Sequence, residues 1–219
     1  VRTALAAVAL VLVAGCSTGE DAAAKNTPNG GRPPTPTATQ TAEPSPTVSA
    51  ASARRLGLRA VAALKRDQPR VALRLIAAGA DVNVQDGIKD SVFLYAGAEG
   101  YAAVVEAALA HGADVRSTNR YGGTALIPAS EHAHVEVIRI LIRAGVPIDH
   151  VNDLGWTALG EAVGLGNGDA RHQEAVRLLL AAGADPSVRD RFGRSVLENA
   201  ERLGQTAVAR LVRAALARQ

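Results

Sequence analysis

Cysteine is all but missing from this chain. Cys16 is the only one in 219 residues, and methionine is absent. A single thiol cannot close an intrachain disulfide, so no disulfide framework supports the fold. Aromatic residues make up 3% of the sequence, with one tryptophan. A core built from Ala, Leu and Val, without bulky anchors, relies on close approach of small side chains, as in helix-on-helix stacking. The apolar stretch from Ala4 to Val13 is too short to cross a bilayer. No Gly-x-Ser-x-Gly elbow, phosphate loop, His-Glu-x-x-His or dinucleotide fingerprint occurs. Catalysis is therefore not expected, and neither is a cofactor. Tyr121 and Trp156 are not interleaved with basic residues as a nucleic-acid surface requires, so no nucleic-acid partner is expected.

What is present changes along the chain. Arg2 followed by the apolar stretch reads as an export signal over residues 1–15, ending in Val13-Ala14-Gly15-Cys16. That ending matches the bacterial lipobox, in which an aliphatic residue and two small ones precede a cysteine that takes a diacylglyceryl group. Cys16 is thus the expected lipid attachment site. The expected location is the cell membrane, lipid-anchored on the extracytoplasmic face, since two or three acyl chains anchor stably where one does not. Val1 in place of methionine suggests a GTG start codon. Residues 16–50 interleave Pro28, Pro33, Pro34, Pro36, Pro44 and Pro46 with Thr, Ser, Ala and Gly. Such a composition cannot bury a core and is expected to form a disordered tether.

From residue 51 the apolar pattern turns helical, and a repeat emerges. Gly79-Ala80-Asp81, Gly112-Ala113-Asp114, Gly145-Val146-Pro147 and Gly183-Ala184-Asp185 follow one another at 33, 33 and 38 residues. Ser91, Thr124, Thr157 and Ser195 keep the same register, as do Ala96, Ala129, Ala162 and Ala200. A fixed period of this size signals a stacked solenoid. The hydroxyl column sits where a side-chain oxygen can cap a starting helix. The glycine column sits where a left-handed residue closes a finished one. The alanine column marks where neighbouring helices should touch.

In these columns residues 51–219 resemble an ankyrin-repeat domain. The resemblance implies an all-α solenoid of about five stacked helix pairs, with projecting β-hairpin fingers around Gly122, Gly155 and Gly193. An N-terminal cap is expected over 53–82, repeats over about 86–118, 119–151 and 152–189, and a C-terminal cap over 190–219. Lys89 replaces the finger glycine in the first repeat, so that finger is expected to be distorted. Arg213, on the outward stacking face, is expected to mark the C-terminal cap. The neighbouring Arg189, Arg191, Arg194, Arg202, Arg210 and Arg218 outnumber Asp190, Glu198 and Glu201. That excess has two readings, a solvated cap or a surface for acidic partners.

Ankyrin stacks bind through a concave face, so the resemblance implies a monomeric protein-binding module. The positions it points to are Ile88, Asp90, Glu99, Arg120, Tyr121, Glu131, His132, Leu154, Trp156, Arg191, Phe192 and Arg194. His150 joins them because no repeat duty explains it. Tyr121, Leu154 and Phe192 share one column, which has two readings: recognition, or packing of finger on finger. His134 and His172 stand eleven residues before Gly145 and Gly183, where ankyrin side chains support the turn between helices. His111 reads as a helix C-cap. Glu131, His132 and His134 offer too few ligands to define a metal site. The five extra residues of the fourth repeat fall within 164–172, which is where insertions often build binding loops.

Three functional readings follow. The first is a membrane-anchored module that binds an exported or envelope protein. The second is a small-molecule or metal-binding lipoprotein using His150, Trp156, Glu161 and the 164–172 insertion. The third is a structural spacer.

Overall fold

Apolar residues at helical spacing and punctuating glycines divide the chain into helix pairs. The computed structural model describes residues 48–218. The expected signal, Cys16 and nearly all of the expected tether lie outside the described residues. The helices are α1 (Ala50–Leu64), α2 (Pro69–Ala77), α3 (Val92–Ala98), α4 (Ala102–Ala110) and α5 (Leu126–Glu131), followed by α6 (Val135–Arg143), α7 (Ala158–Gly164), α8 (Ala170–Ala181), α9 (Val196–Arg202) and α10 (Thr206–Leu216). Each odd-numbered helix packs on the even-numbered helix that follows it. The odd helices also stack on one another, and the even helices do the same, giving two layers. One apolar core runs between the layers from Ala60 to Val212. Ala96, Ala129, Ala162 and Ala200 are wholly buried in it, where the odd helices touch. A larger side chain there would force the stack apart.

The caps explain where most helices begin and end. The hydroxyls of Ser49, Ser91, Thr157 and Ser195 accept the amides of Ser52, Leu94, Gly160 and Glu198. Thr124 breaks this column. Its Oγ1 is buried without a hydrogen bond, and α5 starts after Ala125 instead. Gly79, Gly112, Gly145 and Gly183 have φ between 77° and 91°, which closes α2, α4, α6 and α8. The next amide then reaches back into the helix, as from Ala80 to Leu75 O at 3.1 Å and from Ala184 to Leu179 O at 3.0 Å.

A second column ties each repeat to the one before it. Tyr101 Oη donates to Asp67 at 2.7 Å, and His134 Nε2 donates to Ala98 O at 3.1 Å. His172 Nε2 donates to Glu131 O at 3.0 Å, and Gln205 Nε2 donates to Val163 O at 3.0 Å. His134 and His172 therefore have the scaffold role expected of them. Burial, reinforced by the neighbouring His132, holds the His134 imidazole below its usual pKa. A neutral ring still donates through Nε2, so the tie does not need a charge.

The expected β-hairpin fingers do not form. Among the described residues there is no β-strand, and the only extended pairing is an isolated bridge between Arg189 and Ser195. Each expected finger is a five-residue turn instead. Two backbone bonds close each one: Asp86 N to Asp90 O with Lys89 N to Asp86 O, Asn119 N to Gly123 O with Gly122 N to Asn119 O, Asn152 N to Trp156 O with Gly155 N to Asn152 O, and Asp190 N to Arg194 O with Gly193 N to Asp190 O. A hairpin needs flanking extended residues that exchange a ladder of bonds. Among the described residues the segments flanking these turns pair only at the Arg189–Ser195 bridge, so no ladder develops. The solenoid is all-α, with turns in place of hairpins.

Candidate functional site

The turns that precede the odd helices are built by one side chain each. Asp86 Oδ1 accepts the amides of Ile88 and Asp90 at 3.0 and 3.1 Å, and Asn119 Oδ1 those of Tyr121 and Gly123 at 2.9 and 3.0 Å. Asn152 Oδ1 accepts from Leu154 and Trp156 at 3.1 and 2.9 Å, and Asp190 Oδ1 from Phe192 and Arg194 at 2.8 and 2.9 Å. Asp and Asn make such local turns readily. This Asp86, Asn119, Asn152, Asp190 column repeats at the same 33, 33 and 38 residues as the glycines. The signal was in the sequence, but reading the column requires knowing that one oxygen serves two amides.

The turn of the first repeat is not distorted. Lys89 takes the left-handed conformation, φ 61°, that Gly122, Gly155 and Gly193 take at 69°, 82° and 75°. Asp86 and Asp90 hold it in register, and Lys65 Nζ bridges the pair at 2.6 and 2.7 Å. Burial opposes ionisation of Asp86. Hydrogen bonds from Lys65 and the Ile88 and Asp90 amides outweigh it, holding the carboxyl below its usual pKa.

Between the turns and the odd helices of the first three full repeats lies a groove of about 360 Å³. Seven of the expected site residues line it: Asp90, Glu99, Arg120, Tyr121, Glu131, His132 and Leu154. Leu94, Tyr95 and Ile127, which sequence reasoning did not single out, supply apolar wall together with Leu165 of the insertion. Tyr121 is 48% exposed and Leu154 41%, so each leaves a large part of its surface open beside the groove. The guanidinium of Arg120 lies 4.7 Å over the Tyr121 ring and reaches Asp90 at 3.4 Å. His132 Nδ1 lies 2.9 Å from Pro128 O, and its ring stacks on His134 at 5.7 Å.

The remaining expected residues sit elsewhere. His150 Nε2 donates to Gly122 O at 2.6 Å, a tie between neighbouring turns. Ile88 is exposed at the first turn. Phe192 is 58% exposed, with the guanidinium groups of Arg191 and Arg194 at 4.9 and 5.2 Å from its ring. Trp156 is half-buried and lies along its own helix α7. A Cβ on Gly160 or Gly164 would come within 3.1 or 2.6 Å of its ring. The insertion is mostly exposed and is tied back at two points: Asp169 caps α8, and Gln205 Nε2 donates to Gly166 O at 2.9 Å. Of its residues only Leu165 reaches the groove. His150, Trp156 and Glu161 therefore hold separate stations. Among the described residues no group of three or more His, Cys, Asp or Glu converges.

Glu161 is the unusual group. It lines the groove yet is only 5% exposed, and its Oε1 accepts from Asn152 Nδ2 at 2.9 Å. Burial, with Glu131 nearby, pushes its carboxyl up to about 7; the Asn152 bond and His132 pull the other way and lose. The next repeat holds the same pair with the roles exchanged, Asn199 Nδ2 donating to Asp190 Oδ2 at 2.9 Å. There burial is outweighed by Asn199 and the Arg194 and Phe192 amides, and the carboxyl lies below its usual value. An acid in the turn collects three donors, whereas an acid on the helix collects one. Burial, the neighbouring charges and the number of donors together decide which way each carboxyl moves.

The family model for ankyrin repeats (3 copies) matches residues 60–150 and 92–190. The chain belongs to the ankyrin-repeat family. It is 34% identical over 142 residues to the ankyrin repeat protein YahD of Escherichia coli (strain K12), covering 64% of this chain and 71% of that protein. It also resembles the crystal structure of an ankyrin repeat domain from Acinetobacter baumannii AYE, at 51% identity and a TM-score of 0.69. That match covers 71% of this chain and 80% of the other. The structure of the ankyrin repeat protein EF0377 matches at 41% identity and a TM-score of 0.66, over 69% and 77% of the two chains.

Proposed function

We propose that this ankyrin-repeat module binds an exported or envelope protein along the groove, held to the extracytoplasmic face of the membrane by a lipid on Cys16. The observation that carries the reading is the groove itself. It offers an exposed tyrosine, a stacked arginine and apolar walls side by side, the mixture in which interface anchors concentrate. The lipobox sequence Val13-Ala14-Gly15-Cys16 supports the anchor. A tether would raise the module's local concentration near other surface proteins.

Affinity capture from native envelopes tests the site. A partner held by the wild type should be lost on Tyr121→Ala and kept on Phe192→Ala, since Phe192 lies outside the groove. Equal capture by all three proteins refutes the assignment and favours the spacer reading. Labelled fatty acid should be incorporated by the wild type and not by Cys16→Ser; labelling that survives the substitution removes the anchor.

A further inference from the structure

The chain carries a net charge of +3, yet the groove's uncompensated charges are negative. Asp90 is engaged by Lys65 and Arg120. Glu99, Glu131 and Glu161 also line the groove, and none of the three forms an ion pair among the described residues. Glu161 is the most enclosed. One of its oxygens holds Asn152 Nδ2; the other makes no hydrogen bond among the described residues and is not sealed from the groove. A nearly buried carboxyl with one oxygen unpartnered, in a groove that repels anions, calls for a donor from outside the chain.

We propose that the groove receives an arginine or lysine side chain of the bound protein, with the free oxygen of Glu161 as its anchor and Glu131 as the second carboxylate. The proposal rests on the groove reading above and names the chemistry of what enters. Leu94, Ile127, Leu154 and Leu165 form walls for the aliphatic stem, while the charged head reaches the carboxylates. A cation arriving there favours the ionised form of Glu161, so binding releases a proton when Glu161 starts protonated. The groups that bear on Glu161 are Glu131 and His132 from the end of α5 and Asn152 from the third turn. With a carboxyl near 7, the ionised fraction falls about tenfold between pH 8 and pH 6.

The test is calorimetric, with the full chain and a blocked pentapeptide Ala-Leu-Arg-Leu-Ala. Its counterpart carries citrulline, which keeps the shape and loses the charge. At pH 8 the arginine peptide should bind at least about tenfold more tightly than the citrulline peptide, as expected when a desolvated charge pair is broken. The preference should shrink toward pH 6 and fall below about twofold in Glu161→Gln, which keeps an oxygen for Asn152. Equal affinity for the two peptides, an undiminished preference in Glu161→Gln, or no binding of either peptide overturns the proposal. Tyr121→Ala separates the groove from the anchor. If it weakens both peptides while Glu161→Gln weakens neither, the groove stands and the cation anchor falls. If peptides bind and Tyr121→Ala changes nothing, the groove itself is the wrong surface.

Discussion

Replacing Glu161 with glutamine should make this protein more stable at pH 8 and change it little at pH 5. The carboxyl is held near 7 in the folded chain, against an ordinary value of 4.5. A raised acid means that the folded state binds more protons than the unfolded state between those two values. Stability therefore falls as pH rises through that window and levels off above about 7. A tenfold change in proton affinity corresponds to about 1.4 kcal/mol, so the ionised carboxylate costs roughly 3 kcal/mol at pH 8, and under about 1 kcal/mol at pH 5. Glutamine keeps an acceptor for Asn152 and has no proton to lose. In urea unfolding, the variant should gain roughly 2–3 kcal/mol over the wild type at pH 8, and that gain should collapse by pH 5. Heating should show the same trend, by roughly 5–10 °C at the alkaline end for a domain of this size. A difference between variant and wild type that does not change from pH 5 to pH 8 would refute the reasoning. It would mean that Glu161 ionises as an exposed carboxylate does.

Two further outcomes follow from the local geometry. Lys89→Gly should stabilise the first full repeat by about 1 kcal/mol in denaturant unfolding, because the left-handed conformation strains any residue with a Cβ; a loss of stability would show that the lysine side chain itself holds the turn. Gly164→Ala places a Cβ within 2.6 Å of the Trp156 ring, and Trp156 is the only tryptophan. The ring should swing toward water, with red-shifted emission and a loss of about 1–2 kcal/mol from the displaced packing; unchanged emission would show that the ring does not lie on α7.

Much of the solenoid was legible because its determinants are local and repeated. The glycines with φ near 80°, the capping hydroxyls of Ser91, Thr157 and Ser195 and the buried alanine column each act within a few residues of their own position. Thr124 occupies the same column and makes no cap, since its helix starts later and its hydroxyl is left buried. The absence of hairpins was not legible, because a glycine announces a turn but not what flanks it. The stacked repeats decided that: the segments flanking the turns pair only at Arg189 and Ser195 among the described residues.

The candidate site divides along the same line. Seven expected positions meet in the groove because they fall at the turn or at the end of the odd helix of their repeats, and stacking repeats aligns those two regions. Trp156 shares a place too, but Gly160 and Gly164 open a seat for its ring on α7. His150 has no duty in the repeat pattern, and the fold supplies one at Gly122 O.

By itself, then, the sequence determined the period, the helix pairs, the positions of the turns and the family, because those follow from short-range backbone preference repeated in register. Only the tertiary structure decided which polar groups are enclosed and by whom. Asn152–Glu161 and Asp190–Asn199 look alike as spacings nine residues apart. Burial and the number of donors around each carboxyl set their charges, and those belong to the packed stack rather than to any stretch of chain.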